Sequence, residues 1–401
     1  MIIGGGISGI TAAVELAEAG HEVVLVEKEP YLGGNVSHFN NYFPKLCPPS
    51  CGLEINFRRI RSNPRISYYT GAEVLSICGA EDDFHVKLTV RARFINNRCT
   101  ACGKCSDVCP AERKRENKWL PAQKAVYIDG GLAFPAKYTI DGNVCPGASC
   151  GKCLDVCEYN AIQLDARDGE IELKARRIIL ATGWQSYDAT RLKELGYGSC
   201  PDVVTNLEFE KLLAASVRNN RKLCRPSDGA LPGRIAFVQC AGSRDVKHLP
   251  YCSAVCCSAS VKHVLTLAEV YPGIRTEIFY IDLRLTGRNE KLLKKAENYP
   301  GITFTKGKVG RISRGDHGSG PVLEVEDVLA GTKRTESFDM VVLATGLVPN
   351  PALPVLQTNE YGFYRKDQIP GIYAAATCKR PMDVSSSVKD ATATALKAMQ
   401  I

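Results

Sequence analysis

Eighteen cysteines stand in this 401-residue chain, most of them in tight runs. Cys99-x-x-Cys102-x-x-Cys105-x-x-x-Cys109-Pro110 has the spacing that wraps three thiolates around one four-iron cubane and sends the fourth to a second. A second run, Cys145, Cys150, Cys153 and Cys157, repeats it, with a first gap two residues longer and Glu158 in place of proline. Crossed ligation expects Cys99, Cys102, Cys105 and Cys157 on one [4Fe-4S] cluster, and Cys145, Cys150, Cys153 and Cys109 on the other. Zinc is the alternative for four-thiolate sets; two interlocked runs argue against it.

Cys240, Cys252, Cys256 and Cys257 form a third group. Cys240 falls where a second dinucleotide fold would begin its phosphate loop, yet Cys240-Ala241-Gly242-Ser243 lacks the glycine fingerprint. The expectation is a site that has lost pyridine nucleotide and holds a third cluster. Buried structural cysteines are the other reading, and adjacent Cys256 and Cys257 share one centre only where a helix start is distorted. Cys47 and Cys51 flank two prolines; metal ligation, a redox dithiol and a rigid loop all stay open for them. Cys378 is not expected to bind metal.

Gly4-x-Gly6-x-x-Gly9 lies between a strand and a helix. Such a loop makes a tight turn, lets backbone approach a pyrophosphate, and packs helix on strand, with free N–H groups and a positive dipole end facing the phosphates. Glu27 ends the next strand, where a carboxylate accepts hydrogen bonds from a ribose diol. FAD is expected over NAD, because Gly33-Gly34 follow and two Ala-Thr-Gly strand ends let backbone pass a flavin. The expected FAD contacts are Gly4, Gly6, Ser8, Gly9, Glu27, Lys28, Gly33, Gly34, Asn35, Val74, Ala181, Thr182, Gly183, Gly346 and Thr377. Thr377-Cys378 stands where many FAD enzymes carry Gly-Asp.

These residues need an α/β frame. Residues 1–40 read as strand, glycine turn, helix and strand, with a further helix over 53–61 and strands at 66–69 and 84–95. The pattern breaks for the two cysteine runs and resumes at 171–183. A second α/β unit follows, with strands at 235–238, 278–281 and 341–346. The domains expected are an FAD-binding unit (1–95, 166–229 and 346–401), an inserted ferredoxin-like module (96–165), and a second Rossmann-like unit with a degenerate nucleotide site (230–345).

The clustered cysteines and the absence of a leader ahead of the first motif point to a reducing, cytoplasmic compartment rather than a disulfide scaffold. Formal net charge is +8 and hydrophobic residues make up 45%. No nucleic-acid motif accompanies the charge. No apolar run reaches the roughly 18 residues of a membrane span, so any membrane link comes through a partner or a surface contact. The six histidines form no cluster and no nucleophile–base pair stands out, so a hydrolase has nothing to rest on.

Together the glycine loop, the inserted ferredoxin runs, Gln239-Cys240-Ala241-Gly242-Ser243-Arg244 and Tyr251-Cys252 through Cys256-Cys257 resemble the HdrA family, the flavin subunits of heterodisulfide reductases. The likeness runs over nearly the whole chain. The segment Phe43–Arg59 and the length look like the branch of that family found in quinone-interacting membrane-bound oxidoreductases. The resemblance implies a thioredoxin-reductase-like fold, FAD, a cluster on the third cysteine group, and Lys262 as a catalytic cation near the flavin. It also implies partners: a membrane protein that reacts with quinone, and adenylylsulfate reductase. A heterodisulfide-reductase-type complex and an NAD(P)H diaphorase are the rival functions.

Overall fold

The structure is a computed structural model and describes all residues except 116–118, 131, 219–221, 316–319, 352, 354–355, 366–367 and 401. A five-stranded parallel sheet runs in the order Ile372–Ala374, Ile178–Leu180, Ile2–Ile3, Val23–Glu27, Ile66–Thr70. Ile2, Leu25 and Ile178 are sealed from solvent, as strands covered on both faces require. Helix Ile7–Glu18 places Ile10, Ala13, Val14 and Ala17 on its buried face, at the three-to-four residue spacing of an amphipathic helix. It packs against the last helix, Val384–Met399, whose start is capped by Asp383 Oδ1 accepting the Ser386 N–H at 2.7 Å.

A three-stranded antiparallel sheet lies beside it, with Asp83–Val90 central between Ala72–Ala80 and Gly169–Ala175. Val90 pairs with Gly169, so the chain leaves for the cysteine-rich module and returns at adjoining strand ends. The module has its own small core of Ile95, Ala125, Val126, Ile140, Ala161 and Ile162, in which Cys105, Cys109 and Cys153 are also buried.

The second unit is a seven-stranded sheet ordered Val203–Thr205, Met340–Thr345, Arg234–Ala241, Arg275–Tyr280, Ile302–Arg314, Pro321–Asp327, Thr332–Ser337. Here the sequence boundary at 230 needs correction. Val203–Thr205 pairs in parallel with Val341–Leu343, so this strand and the helix Asn206–Arg218 that follows belong to the second sheet. A strand of three residues carries too little pattern for its sheet to be read from sequence. Trp184–Ser186 and Leu347–Pro349 pair antiparallel as the two crossings between the units. Among the described residues, no helix is long and apolar enough to cross a membrane.

Candidate flavin cleft and cysteine centres

The glycine turn opens onto a cleft of about 910 Å³, near the upper end of the roughly 300–1,000 Å³ of small-molecule sites. Each fingerprint glycine has its own reason. A Cβ at Gly4, where φ is +108°, would lie 2.3 Å from the Ala181 carbonyl oxygen, and one at Gly9 would lie 1.8 Å from that of Gly4. A Cβ at Gly6 would meet nothing nearer than Gly34 Cα at 3.9 Å. The space before Gly6 is therefore cleft, not protein. Gly6 caps helix Ile7–Glu18 without a side-chain bond, so the first-turn N–H groups are left for an anion. This cradle fits the pyrophosphate of a dinucleotide.

Gly4, Gly6, Ser8, Glu27, Lys28, Gly33, Gly34, Asn35, Val74, Ala181, Thr182, Gly183 and Thr377 all line the cleft. Gly9 instead packs behind the turn. Glu27 is buried; its Oε2 accepts the Gly5 N–H at 2.6 Å and its Oε1 the Glu29 N–H at 2.8 Å. Burial pushes its pKa up, against those two bonds. Asn35 Nδ2 donates to the Trp184 carbonyl at 3.0 Å, and Asn350 Nδ2 to that of Thr182 at 2.6 Å, which fixes the strand end along the cleft.

Gly346 is a correction. A Cβ there would strike Ser243 Oγ at 2.3 Å and Ser253 Oγ at 2.8 Å. This second Ala-Thr-Gly ends a strand of the other sheet, so it makes room for the third cysteine loop and not for the cleft. Sequence reasoning missed Arg113 and Tyr127 from the inserted module, and Lys211 and Arg218 from helix Asn206–Arg218, all of which line the cleft. Arg218 donates to the Ser37 carbonyl at 3.4 Å and to that of Phe39, and so ties the second unit to the first. No local motif marks these cations.

In the module, Cys99, Cys102, Cys105 and Cys157 line one small pocket, with Ile95, Tyr138 and Ile162 around it. Burial and the neighbouring Cys99 and Cys102 push the Cys105 thiol up to about 12. Burial raises the Cys153 thiol, and Cys145, Cys109 and Cys150 are the thiols close enough to couple to it. Cys157 thus shares a pocket with Cys99, Cys102 and Cys105 of the first run, and Cys109 neighbours Cys153 of the second. Among the described residues no three His, Cys, Asp or Glu side chains converge as ligands of a single ion; in a cubane each thiolate takes its own iron, so wider spacing fits. Glu158, in place of proline, pairs with Lys104 and ties the second run to the first.

The third group shares a local device with these runs. The Cys99, Cys145 and Cys252 sulfurs each accept, at 3.4 Å, the N–H of the residue two ahead: Ala101, Gly147 and Ala254. Those three residues are left-handed, with φ of 58°, 68° and 61°. Burial raises the Cys256 thiol, and Cys257, Cys240 and Cys252 are the thiols close enough to couple to it. Helix Cys256–Val270 begins at Cys256, so the adjacent pair lies in an open first turn and not mid-helix.

The NAD(P)-binding Rossmann-like domain family matches residues 2–66 and the 4Fe-4S binding domain family residues 92–112. A CoB--CoM heterodisulfide reductase iron-sulfur protein of the HdrA type from Methanopyrus kandleri is 36% identical over 99% of this chain and 63% of its own length. The HdrA protein of the ferredoxin:CoB-CoM heterodisulfide reductase of Methanosarcina mazei is 34% identical over 100% of this chain and 53% of its own. The chain is similar to HdrA proteins over nearly its whole length. It spans only those shares of the curated relatives' length. In fold it is similar to T. acidophilum thioredoxin reductase, with a TM-score of 0.53 at 16% identity over 99% of this chain and 96% of that one.

Against the HdrA-based expectation, Lys262 does not line the cleft. It is 3% exposed, and its Nζ lies 2.5 Å from Glu210 Oε2 and 3.1 Å from the Asn41 carbonyl oxygen. A buried ammonium needs a buried anion, and Glu210 supplies it. Burial would raise the Glu210 pKa, but Lys262 and His263 beside it hold the carboxyl below the usual range. Burial depresses His263 against the pull of Glu210. Phe43 and Leu46, which precede Cys47, pack with Trp119 of the module on the second unit's core. Cys51 is exposed. Cys378 is sealed in, its thiol pushed up to about 12 by burial and donating to the Ala375 carbonyl at 3.0 Å.

Proposed function

We propose that this chain is the flavin and iron–sulfur electron-transfer subunit of an HdrA-type complex, with FAD in the cleft, two [4Fe-4S] clusters in the inserted module and a third on Cys240, Cys252, Cys256 and Cys257. One observation carries the reading: the module that holds the paired cysteine sets also supplies Arg113, Gln123 and Tyr127 to the wall of the cleft. The module that carries the cysteine sets therefore borders the flavin cleft, which favours short-range electron exchange between the two. Bound FAD supplies paired-electron chemistry and bound clusters single-electron steps. The chain's own part is to cradle phosphate at Gly6 and the first turn, to balance its charge with Lys28, Arg113, Lys211 and Arg218, and to hold the thiols in three sets.

The domain scheme proposed is the FAD unit, the module at 96–165 and a second unit enlarged to begin before Val203. In the cell we propose a cytoplasmic protein held at the inner membrane face by a quinone-reactive membrane partner, exchanging electrons with adenylylsulfate reductase. The likeness of Phe43–Arg59 supports this. A heterodisulfide-reductase-type complex is the second reading, favoured by what the curated relatives are. An NAD(P)H diaphorase has less support, since Cys240 and Arg244 take the place of a second phosphate loop.

The test is anaerobic purification with its partners. Flavin, about twelve irons per chain, bleaching by dithionite and indifference to NADH are expected. Colourless protein, or rapid bleaching by NADH, overturns the reading; the co-purifying proteins decide between the two complexes.

A further inference from the structure

Strand Arg234–Ala241 runs into the turn where a nucleotide-binding unit would hold a pyrophosphate. Asp282 follows the next strand, Arg275–Tyr280, where such units offer a carboxylate to a ribose. Both positions are reassigned here. Asp282 Oδ1 accepts a hydrogen bond from Arg244 Nη1, and the same Nη1 lies 3.9 Å from Cys240 Sγ. Arg284 Nε donates to Asp282 Oδ2 at 3.1 Å, and the backbone N–H of Arg284 reaches the Cys257 sulfur.

The backbone is constrained to hold this arrangement. Cys240, Gly242 and Arg244 are all left-handed, with φ of 57°, 76° and 57°. A non-glycine residue there is strained and persists only where its surroundings over-determine it. They do. The Arg244 N–H donates to the Tyr251 carbonyl at 3.1 Å, and the Leu249 N–H to that of Gly242 at 3.0 Å. The Tyr187 ring closes the space behind Gly242, where a Cβ would lie 2.9 Å away.

We propose that Arg244, oriented by Asp282, is a positioning residue that sets the reduction potential of the cluster bound through Cys240, Cys252, Cys256 and Cys257. This role rests on the third cluster proposed for those four cysteines. A cation in reach of a ligand sulfur stabilises the reduced state, which carries one more negative charge, and so raises the potential. Arg244 and Arg284 set two positive charges against one carboxylate, so the local excess is positive. With a side chain 23% exposed, Arg244 is only partly screened by solvent. The ribose-position carboxylate is meanwhile committed to a guanidinium.

The test is a redox titration followed by electron paramagnetic resonance on the anaerobically loaded full chain: wild type, Arg244→Gln, Arg244→Lys and Asp282→Asn. Arg244→Gln is expected to shift the third cluster's midpoint downward, Arg244→Lys to restore part of the shift, and Asp282→Asn to move it upward. The two module clusters should not move in any variant. Unchanged third midpoints in both Arg244→Gln and Asp282→Asn, or equal shifts of all three clusters, overturn the proposal. Where Arg244→Gln loses third-cluster iron, Asp282→Asn decides alone: an upward shift supports the proposal and none sinks it. Wild-type protein with iron for two clusters only refutes the third-cluster reading itself, a failure visible before any variant is titrated.

Discussion

Lys262 Nζ and Glu210 Oε2 stand 2.5 Å apart, and neither side chain has meaningful access to water. Helix Asn206–Arg218, which carries Glu210, also turns Lys211 and Arg218 to the cleft. Through Glu210 the same helix is tied to helix Cys256–Val270, which begins with two proposed cluster ligands. Glu210 Oε1 further accepts the Asn40 N–H at 2.7 Å, so one carboxylate joins three segments.

Breaking that pair leaves a buried charge without a partner. Glu210→Gln is expected to destabilise the chain by about 3–5 kcal/mol, read from the denaturant midpoint. Changing both residues, as in Glu210→Gln with Lys262→Met, should cost less than Glu210→Gln alone. Strict additivity in that double-mutant cycle counts against the coupling.

The same cluster sets a pH dependence. His263 is depressed in the folded state, so the unfolded chain binds its proton first as pH falls below about 6.5. Glu210 is also depressed, and its contribution disappears as pH falls further, below about 4.3. Unfolding free energy should therefore fall with acidification in two stages. His263→Gln should flatten the first stage only, as measured by urea melts between pH 7 and 5.

The glycine loop separates binding from folding. Gly6→Ala should abolish FAD retention while leaving the thermal midpoint of the apoprotein nearly unchanged, because its Cβ enters open cleft. Gly9→Ala should lower that midpoint, by about 1–3 kcal/mol of stability or more, because its Cβ drives into the Gly4 carbonyl. Equal melts for the two variants would contradict the geometry.

Crossed ligation is open to counting. Cys157→Ser and Cys99→Ser should each lose the same cluster, about four irons, and give superimposable spectra. Cys109→Ser should lose the other. If Cys157→Ser matches Cys153→Ser instead, each run binds its own cluster and the crossing is wrong.

The cysteine runs and the glycine turn were legible in the linear sequence because their chemistry is local. Spacing along the chain limits which thiolates can wrap one centre, and a turn's backbone conformation depends on the residues in it. The left-handed residue two past Cys252 belongs to the same class of signal, but Ala254 does not advertise it as a glycine would. What only the tertiary structure decided lies between residues distant in sequence. Lys262 finds Glu210 from 52 positions away; Gly346 serves Ser243 and Ser253 instead of the flavin cleft; Val203–Thr205 joins the second sheet; Asp282 turns to Arg244. A buried charge takes whichever counter-charge packing brings to it, and a strand joins whichever edge its neighbours leave open, so neither outcome is written in the composition of a short segment.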